Sequence, residues 1–301
     1  MSQSGFSLNH AEVDTPPRPS STVLLLRDGP AGIEVLMQRR HEKNEQWAGA
    51  YVFPGGKVDR ADGEIDMLSR LDLSAAEMHA RMGDATLDER NAAVYYAAAC
   101  REMFEETGLL VATSPDGTAA DAALAEEAMQ WLREGMSFAE VLERYDLTMA
   151  ASRLVLWSRW ITPRVPSLAT KRFDVRFFLA RAPEDQIARH DNHEATESVW
   201  VAPRAALAQL QARKMLLAPP QIMSLAELAR HATVAAAMHA DVIQWPRLID
   251  PQPFEHEGTR AVAYPGDPLH TNSERAMPGP TRLIFRNGTF EPFGEFEELF
   301  A

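Results

Sequence analysis

Three carboxylates between Arg101 and Leu109 constrain this chain more than any other feature. Glu102, Glu105 and Glu106 lie at positions i, i+3 and i+4, so a helix would place them on one face within roughly 100°. Like charges at these spacings destabilise an isolated helix by roughly 0.2–0.5 kcal/mol per pair. A divalent cation such as Mg²⁺ offsets that repulsion, because hard cations prefer carboxylate oxygens. The segment therefore predicts a metal-binding helix face, with a solvated acidic surface as the plainer alternative.

The opposite face of the same helix is mostly apolar and could pack on a sheet. Gly108 is suited to end the helix, and Asp88 is a candidate for its N-terminal cap. Cys100, the one cysteine of the chain, falls on this apolar face. We therefore expect it to be a buried structural thiol and not a nucleophile. The apolar face consists of Ala93, Tyr96, Cys100, Met103, Phe104 and Thr107.

A short apolar strand runs into a Gly-Gly turn at residues 49–56, upstream of this helix. Turn and helix together resemble the Nudix box, G-x5-E-x7-R-E-U-x-E-E-x-G-U, where U is a bulky aliphatic residue. The second half matches at every defined position, with Met103 and Leu109 as the U residues. The resemblance implies an α/β fold, the Nudix α/β/α sandwich, with a mixed β-sheet and additional helices. It also implies a hydrolase that cleaves a nucleoside diphosphate linked to another group, usually with Mg²⁺ or Mn²⁺.

The first half of the box departs from this pattern. Gly56 lies 45 residues before Arg101, where an ordinary box has 14, so about 31 residues are inserted. Three residues are candidates for the early glutamate of the box: Asp59, Asp62 and Glu89.

An insertion inside the box resembles the peroxisomal-type coenzyme A diphosphatase subgroup of the Nudix superfamily and its bacterial relatives. Residues 160–163, 171–179 and 218–221 add to that resemblance. The subgroup implies a coenzyme A or acyl-coenzyme A substrate, cleaved to 3′,5′-ADP and (acyl-)4′-phosphopantetheine. One signature of other coenzyme A hydrolases disagrees, because it requires an arginine where Glu45 stands. ADP-ribose or NADH, and a non-catalytic nucleotide-binding module, remain the alternatives.

The resemblance assigns roles residue by residue. Glu102, Glu105 and Glu106 would bind the metal, and Arg101 would hold a box carboxylate in its ligating conformation. Many family members use a further glutamate outside the box, for which Glu197 and Glu194 are candidates, although both could be solvated loop charges. The expected catalytic residues are Arg101, Glu105, Glu106 and Glu197, and the expected substrate-binding residues are Arg39, Arg40, Gly55, Gly56, Arg172 and Arg176.

Composition limits the partners of the chain. A net charge of −13 argues against binding long nucleic acid, whose phosphates require a basic surface, but permits a small nucleotide-containing substrate. No apolar run is long enough to span a membrane, and neither end carries a targeting signal that we identify. With a single cysteine, these features predict a cytoplasmic protein. Nothing in the sequence decides the oligomeric state, and a homodimer is the assembly that we keep open.

The order of predicted elements indicates a flexible tail at residues 1–19 and one Nudix domain at 20–301. Helical insertions are expected at about 60–92 and 121–145, and the first of these should shape the substrate pocket without belonging to the core. Residues 109–112 should re-enter the sheet, and 221–239 should form one helix. Residues 281–288 indicate a terminal hairpin.

Overall fold

A computed structural model describes residues 5–42, 47–189, 195–239 and 247–301. Its helices are α1 (Ile65–Leu68), α2 (Ala75–Met82), α3 (Glu89–Thr107), α4 (Ala122–Arg133), α5 (Phe138–Arg144), α6 (Pro203–Gln211), α7 (Pro219–Leu228) and α8 (Val234–Met238). Its strands are β1 (Arg18–Gly29), β2 (Gly32–Arg40), β3 (Tyr51–Val52), β4 (Gly55–Lys57), β5 (Ala112–Thr113), β6 (Thr148–Met149), β7 (Val155–Ile161), β8 (Phe173–Arg181), β9 (Ala195–Val201), β10 (Arg247–Ile249), β11 (Gln252–His256), β12 (Thr259–Ala263), β13 (Arg282–Arg286) and β14 (Thr289–Pro292). Short 3₁₀ helices lie at Arg60–Gly63, Ala151–Arg153 and Phe296–Phe300.

The central sheet is mixed, as predicted. Its strand order is β10-β7-β8-β1-β2-β3, with β4 paired to β1 and β9 paired to β2. β1 runs parallel to β8 and β10 runs parallel to β7, whereas the other neighbours are antiparallel. β1 is buried on both faces, since Leu24 and Leu25 point to opposite sides and neither is exposed.

Layers on both faces of this sheet confirm the α/β/α architecture. One core joins Val23 and Leu25 to α3 and the helices around it, including Tyr96 and Phe104. The other core joins Leu24 to α6, α7 and α8. A second sheet, ordered β11-β12-β13-β14, adds apolar side chains to that second core. β13 and β14 form the predicted terminal hairpin.

α3 has the ends that its sequence predicts. The Asp88 side chain accepts a hydrogen bond from the Asn91 backbone N–H at 2.7 Å, which caps the first turn. Gly108 ends the helix with φ of 72°, in the left-handed region that favours glycine. Cys100 is buried as expected, and burial raises the pKa of its thiol to about 12.

The inserted segment at residues 60–92 belongs to the core, contrary to our expectation. Its apolar side chains Met67, Leu71, Met78 and Met82 are buried in the same cluster as Phe104. α2 packs against α3 and also contacts β7, so removing the segment would expose core surface. The predicted helices at 121–145 are present as α4 and α5.

Three other element predictions need correction. Ala112–Thr113 pairs with Thr148–Met149 in a separate two-stranded sheet, and the Gln186 side chain hydrogen-bonds the backbone N–H and C=O of Leu110. The predicted helix 221–239 is divided into α7 and α8, and the Thr233 side chain caps α8. The expected tail overlaps β1, since Arg18 and Pro19 pair with Phe173 and Asp174.

No helix in the four described ranges is both long and apolar enough to cross a membrane.

Candidate active site

The Gly-Gly turn lies directly against the acidic face of α3. β4 pairs with β1, with Gly55 opposite Thr22. Gly55 has φ of 149° and donates its backbone N–H to Glu106 Oε2 at 2.9 Å. A Cβ on Gly55 would lie 2.3 Å from the Ser21 carbonyl oxygen, and a Cβ on Gly56 would displace the Glu102 carboxylate, 2.4 Å away. The two glycines therefore let the carboxylates approach the backbone of the turn.

The Arg101 side chain binds several of the groups that form this acidic face. Its guanidinium donates to both oxygens of Asp62, at 2.7 and 3.0 Å, and to the Lys57 carbonyl at 3.0 Å. Its Nη1 also lies 3.0 Å from Glu102 Oε1 and 2.8 Å from Glu105 Oε2. Arg101 thus holds two of the three box glutamates, which is the positioning role that the sequence predicts for it.

Asp62 is the partner of Arg101 among the three candidates for the early box glutamate. Its side chain is fully buried, whereas that of Asp59 is 68% exposed and lies 4.0 Å from the guanidinium. Glu89 lies at the exposed start of α3. Counting forward from Gly56 also reaches Asp62, so the insertion interrupts the box after this residue.

Crowded negative charge dominates the electrostatics of the site. Burial and the neighbouring Glu105 carboxylate raise the pKa of Glu102 to about 7, although Arg101 opposes the shift. Burial also raises the pKa of Glu105 against the same guanidinium. Three carboxylates therefore share a space in which a single arginine only partly balances their charge.

The donor set fits a hard divalent cation. Carboxylate oxygens are the ligands that Mg²⁺ and Mn²⁺ prefer, and Glu102, Glu105 and Glu106 supply them from one helix face. Within the described ranges, no group of three or more acidic, histidine or cysteine side chains is already positioned to hold a metal ion.

A cleft of about 590 Å³ opens above the acidic face. Its floor contains Gly55 and Gly56 together with the three box glutamates. Its walls carry aromatic side chains and three cations besides Arg101, which suits a nucleotide with its base and phosphates. The aromatic residues are Trp47, Phe53, Trp160, Phe173 and Phe177, and the cations are Arg40, Lys57 and Lys171.

The inserted segment does not shape this cleft as we predicted, because none of residues 60–92 lines it. Asp62 acts on the cleft through Arg101 and through the Asp59 backbone N–H, which donates to Asp62 Oδ2 at 2.7 Å. Another inserted residue, Asp84, lies on the β7–β8 part of the sheet, where it binds Arg159 at 2.9 Å and also binds Arg176.

Arg176 is therefore not a substrate ligand, which corrects our prediction. Its side chain is 1% exposed, because Asp84 and Asp174 enclose the guanidinium while it stacks on Tyr95 at 4.7 Å. The sequence offered no indication of this pairing, since Asp84 lies 92 residues earlier.

Two other predicted arginines lie outside the cleft lining. Arg39 is held by Glu42 at 2.6 Å, and Arg172 donates to the Thr162 carbonyl at 2.9 Å. Lys171, beside Arg172, lines the cleft instead. Of the predicted arginines outside the box, the structure brings Arg40 to the cleft.

Glu197 accepts a hydrogen bond from the Tyr51 hydroxyl at 2.7 Å and is not among the residues that line the cleft. Its catalytic role stays a prediction. Glu194 and Glu45 lie outside the described residues. Two tryptophans that line the cleft were not predicted from the sequence. Trp47 has no recognisable pattern around it, and Trp160 lies in a segment that only the family resemblance singled out.

Comparison with known proteins agrees with this geometry. A family model described as the NUDT19 Nudix domain matches residues 74–228, just over half of the chain. The chain is 29% identical over 252 residues to the human acyl-coenzyme A diphosphatase NUDT19, covering 72% of this chain and 66% of that protein. The Xenopus laevis protein of the same name is 23% identical over 231 residues, covering 67% of this chain and 61% of that one.

A solved structure supports the fold independently. The crystal structure of a NUDIX hydrolase from Alicyclobacillus acidocaldarius superposes with a TM-score of 0.60 at 27% identity, covering 75% of this chain and 97% of that chain. The helix that carries the box glutamates, the Gly-Gly turn and the family model all indicate the same family. The chain therefore belongs to the Nudix hydrolase family, in the group that the NUDT19 Nudix domain represents.

Proposed function

We propose that this chain is a metal-dependent pyrophosphohydrolase that cleaves the diphosphate of coenzyme A or acyl-coenzyme A. The products would be 3′,5′-ADP and 4′-phosphopantetheine or its acyl form. One observation carries the proposal. Glu102, Glu105 and Glu106 meet the Gly-Gly turn at the floor of a cleft whose walls suit a nucleotide.

The acidic floor itself supports a cation requirement. A diphosphate carries negative charge and could not approach three carboxylates without a positive charge between them. Arg40, Lys57 and Lys171 line the cleft, but Arg101 is already committed to Asp62 and the glutamates. A Mg²⁺ or Mn²⁺ ion held by the three glutamates would act as a Lewis acid and lower the pKa of a bound water.

The residues of the chain supply positioning. Hydrolysis forms a bond between water oxygen and one phosphorus and breaks the bond from that phosphorus to the bridging oxygen. Alignment and charge stabilisation contribute most of the rate in such reactions. Arg101 fixes Glu102 and Glu105, and the Gly55 N–H fixes Glu106, so each box carboxylate has a partner that sets its orientation.

The substrate assignment rests on the relatives, which are named acyl-coenzyme A diphosphatases. ADP-ribose or NADH remains the second candidate, because the aromatic walls of the cleft would accept either adenine nucleotide. A non-catalytic binding module is the least favoured, since all three box glutamates are retained.

A substrate panel tests the proposal. Coenzyme A, octanoyl-coenzyme A, ADP-ribose and NADH are incubated with the protein in Mg²⁺, in Mn²⁺ and in EDTA, and products are identified by mass spectrometry. We expect 3′,5′-ADP from both coenzyme A substrates and none in EDTA. Preferred cleavage of ADP-ribose would move the assignment to the second candidate, and no cleavage at all would favour the binding module.

Location and assembly belong to the same proposal. We propose that the protein is cytoplasmic, and a homodimer is the oligomeric state that we keep as a candidate. Cell fractionation and light scattering would test these two predictions.

A further inference from the structure

A second cavity shares two of the box glutamates with the cleft. It lies between the C-terminal end of α3, the α4–α5 segment and residues 186–189, and its volume is about 650 Å³. Such a volume falls within the range of about 300–1,000 Å³ that is typical of small-molecule sites. Glu105 and Glu106 line both this cavity and the cleft. The two cavities therefore meet at the carboxylates to which we assign the metal.

The wall of the second cavity differs in chemistry from that of the cleft. Apolar and polar residues line it in similar proportion, and two methionines contribute, Met129 from α4 and Met136 from the connection to α5. Methionine side chains are flexible and adapt to apolar ligands of different shape. The apolar part of the lining includes Ala125, Met129, Leu132, Met136, Phe138 and Ile187. This mixed surface suits a flexible chain that carries both alkyl and polar amide groups.

Ile187 adds exposed apolar surface to this wall. It is 75% exposed, although it is a large aliphatic residue on the wall of the cavity. An occupant would cover it and remove that apolar surface from water. The charged residues at this cavity include Glu126 and Arg189, which bind each other at 2.8 Å.

We infer that the second cavity binds the acyl-pantetheine arm of an acyl-coenzyme A, while the cleft binds the nucleotide. The inference rests on the proposed function. In such a substrate the diphosphate is linked to the nucleotide on one side and to the pantetheine arm on the other. An enzyme that cleaves it needs two compartments that meet at the reactive groups, and Glu105 and Glu106 occupy that junction.

Matched isoleucine variants test this inference through substrate selectivity. Ile187→Asp places a carboxylate on the cavity wall, and Ile65→Asp makes the same change on α1, where Ile65 is 79% exposed. An alkyl chain that covers residue 187 would have to desolvate the new charge. The ratio of kcat/KM for octanoyl-coenzyme A to that for coenzyme A should fall at least about tenfold in Ile187→Asp. It should stay unchanged in Ile65→Asp, and an equal ratio in both variants would overturn the inference.

A binding measurement separates this inference from the proposed function. S-octanoyl-pantetheine contains the arm but no diphosphate, and its binding is measured by calorimetry. We expect binding to the wild type and to Ile65→Asp, and at least about tenfold weaker binding to Ile187→Asp. Met129→Trp, which fills the cavity, should also weaken it, whereas Gln130→Trp on the exposed side of α4 should not. Binding without cleavage of any coenzyme A would refute the proposed function alone, and equal binding by all variants would refute the cavity assignment.

Discussion

The Arg101 guanidinium donates hydrogen bonds to both oxygens of the Asp62 carboxylate, which lies 39 residues earlier in the sequence. The Asp62 side chain has no exposed surface. The Arg101 guanidinium that it holds in place also binds Glu102 and Glu105, so Asp62 indirectly fixes the position of both glutamates. The contact joins the two halves of a motif that the insertion separates. The insertion therefore changes the sequence spacing of the box without separating its parts in space.

Removing the buried carboxylate should destabilise the protein. Asp62→Ala leaves a mostly buried guanidinium without its main partner, and we expect a loss of about 3 kcal/mol in the free energy of unfolding. Asp59→Ala removes an exposed carboxylate from the same turn and should change stability by less than about 0.5 kcal/mol. Urea unfolding of both variants measures the difference. Equal stabilities would show that the Arg101–Asp62 pair does not support the fold.

Asp84 should give the protein part of its resistance to acid. Burial opposes ionisation, but hydrogen bonds from Thr86 and the charges of Arg159 and Arg176 hold the pKa of Asp84 below its usual range. Such a depressed pKa contributes stability above the unfolded value of about 3.9, and the contribution is lost as pH falls through the folded pKa. Asp84→Asn should therefore cost about 1.5–3 kcal/mol near neutral pH and progressively less below about pH 4. A difference in unfolding free energy that does not vary with pH would contradict this assignment.

Lys171 should contribute to recognition of the 3′-phosphate of coenzyme A. It is a cleft cation, and losing a charged hydrogen bond typically costs about 1.5–3 kcal/mol, or at least about tenfold in kcat/KM. The wild type should thus prefer coenzyme A to dephospho-coenzyme A by about this factor, and Lys171→Ala should lose the preference. Lys214→Ala, at an exposed lysine outside the cleft lining, serves as the control. Equal kcat/KM values of the wild type for coenzyme A and dephospho-coenzyme A would contradict recognition of the 3′-phosphate.

Glu197→Gln tests whether a glutamate outside the box takes part in the reaction. The carboxylate and the Tyr51 hydroxyl bond each other at 2.7 Å, and burial together with Glu197 raises the pKa of Tyr51 to about 12. If Glu197 acts as a base, the variant should lose at least about a hundredfold in kcat. The variant Tyr51→Phe, which removes only the hydroxyl, should then retain most of the activity. Similar modest effects in both variants would assign Glu197 a structural role.

Local patterns of the sequence predicted much of the fold and the acidic part of the site. The charge spacing on α3, the Asp88 cap and the Gly-Gly turn each depend on residues close in sequence, so periodicity and turn chemistry reveal them. The prediction for Arg176 was wrong partly because one of its two carboxylate partners, Asp84, lies 92 residues away, whereas the other, Asp174, lies two residues away on the same strand. The prediction that residues 109–112 re-enter the central sheet was also wrong. The Gln186 side chain, which binds Leu110, lies 76 residues further on. Long-range polar pairing leaves no periodic pattern in a sequence.

The central claim is that the acidic face of α3 carries a metal-dependent hydrolysis. The most direct test compares Glu106→Gln with Glu89→Gln, which makes the same change at the exposed start of the same helix. Release of 3′,5′-ADP from coenzyme A is followed over a Mg²⁺ titration. We expect kcat to fall at least about a hundredfold in Glu106→Gln and to remain at the wild-type value in Glu89→Gln. Full activity of Glu106→Gln, or wild-type activity that persists in EDTA, would contradict the account.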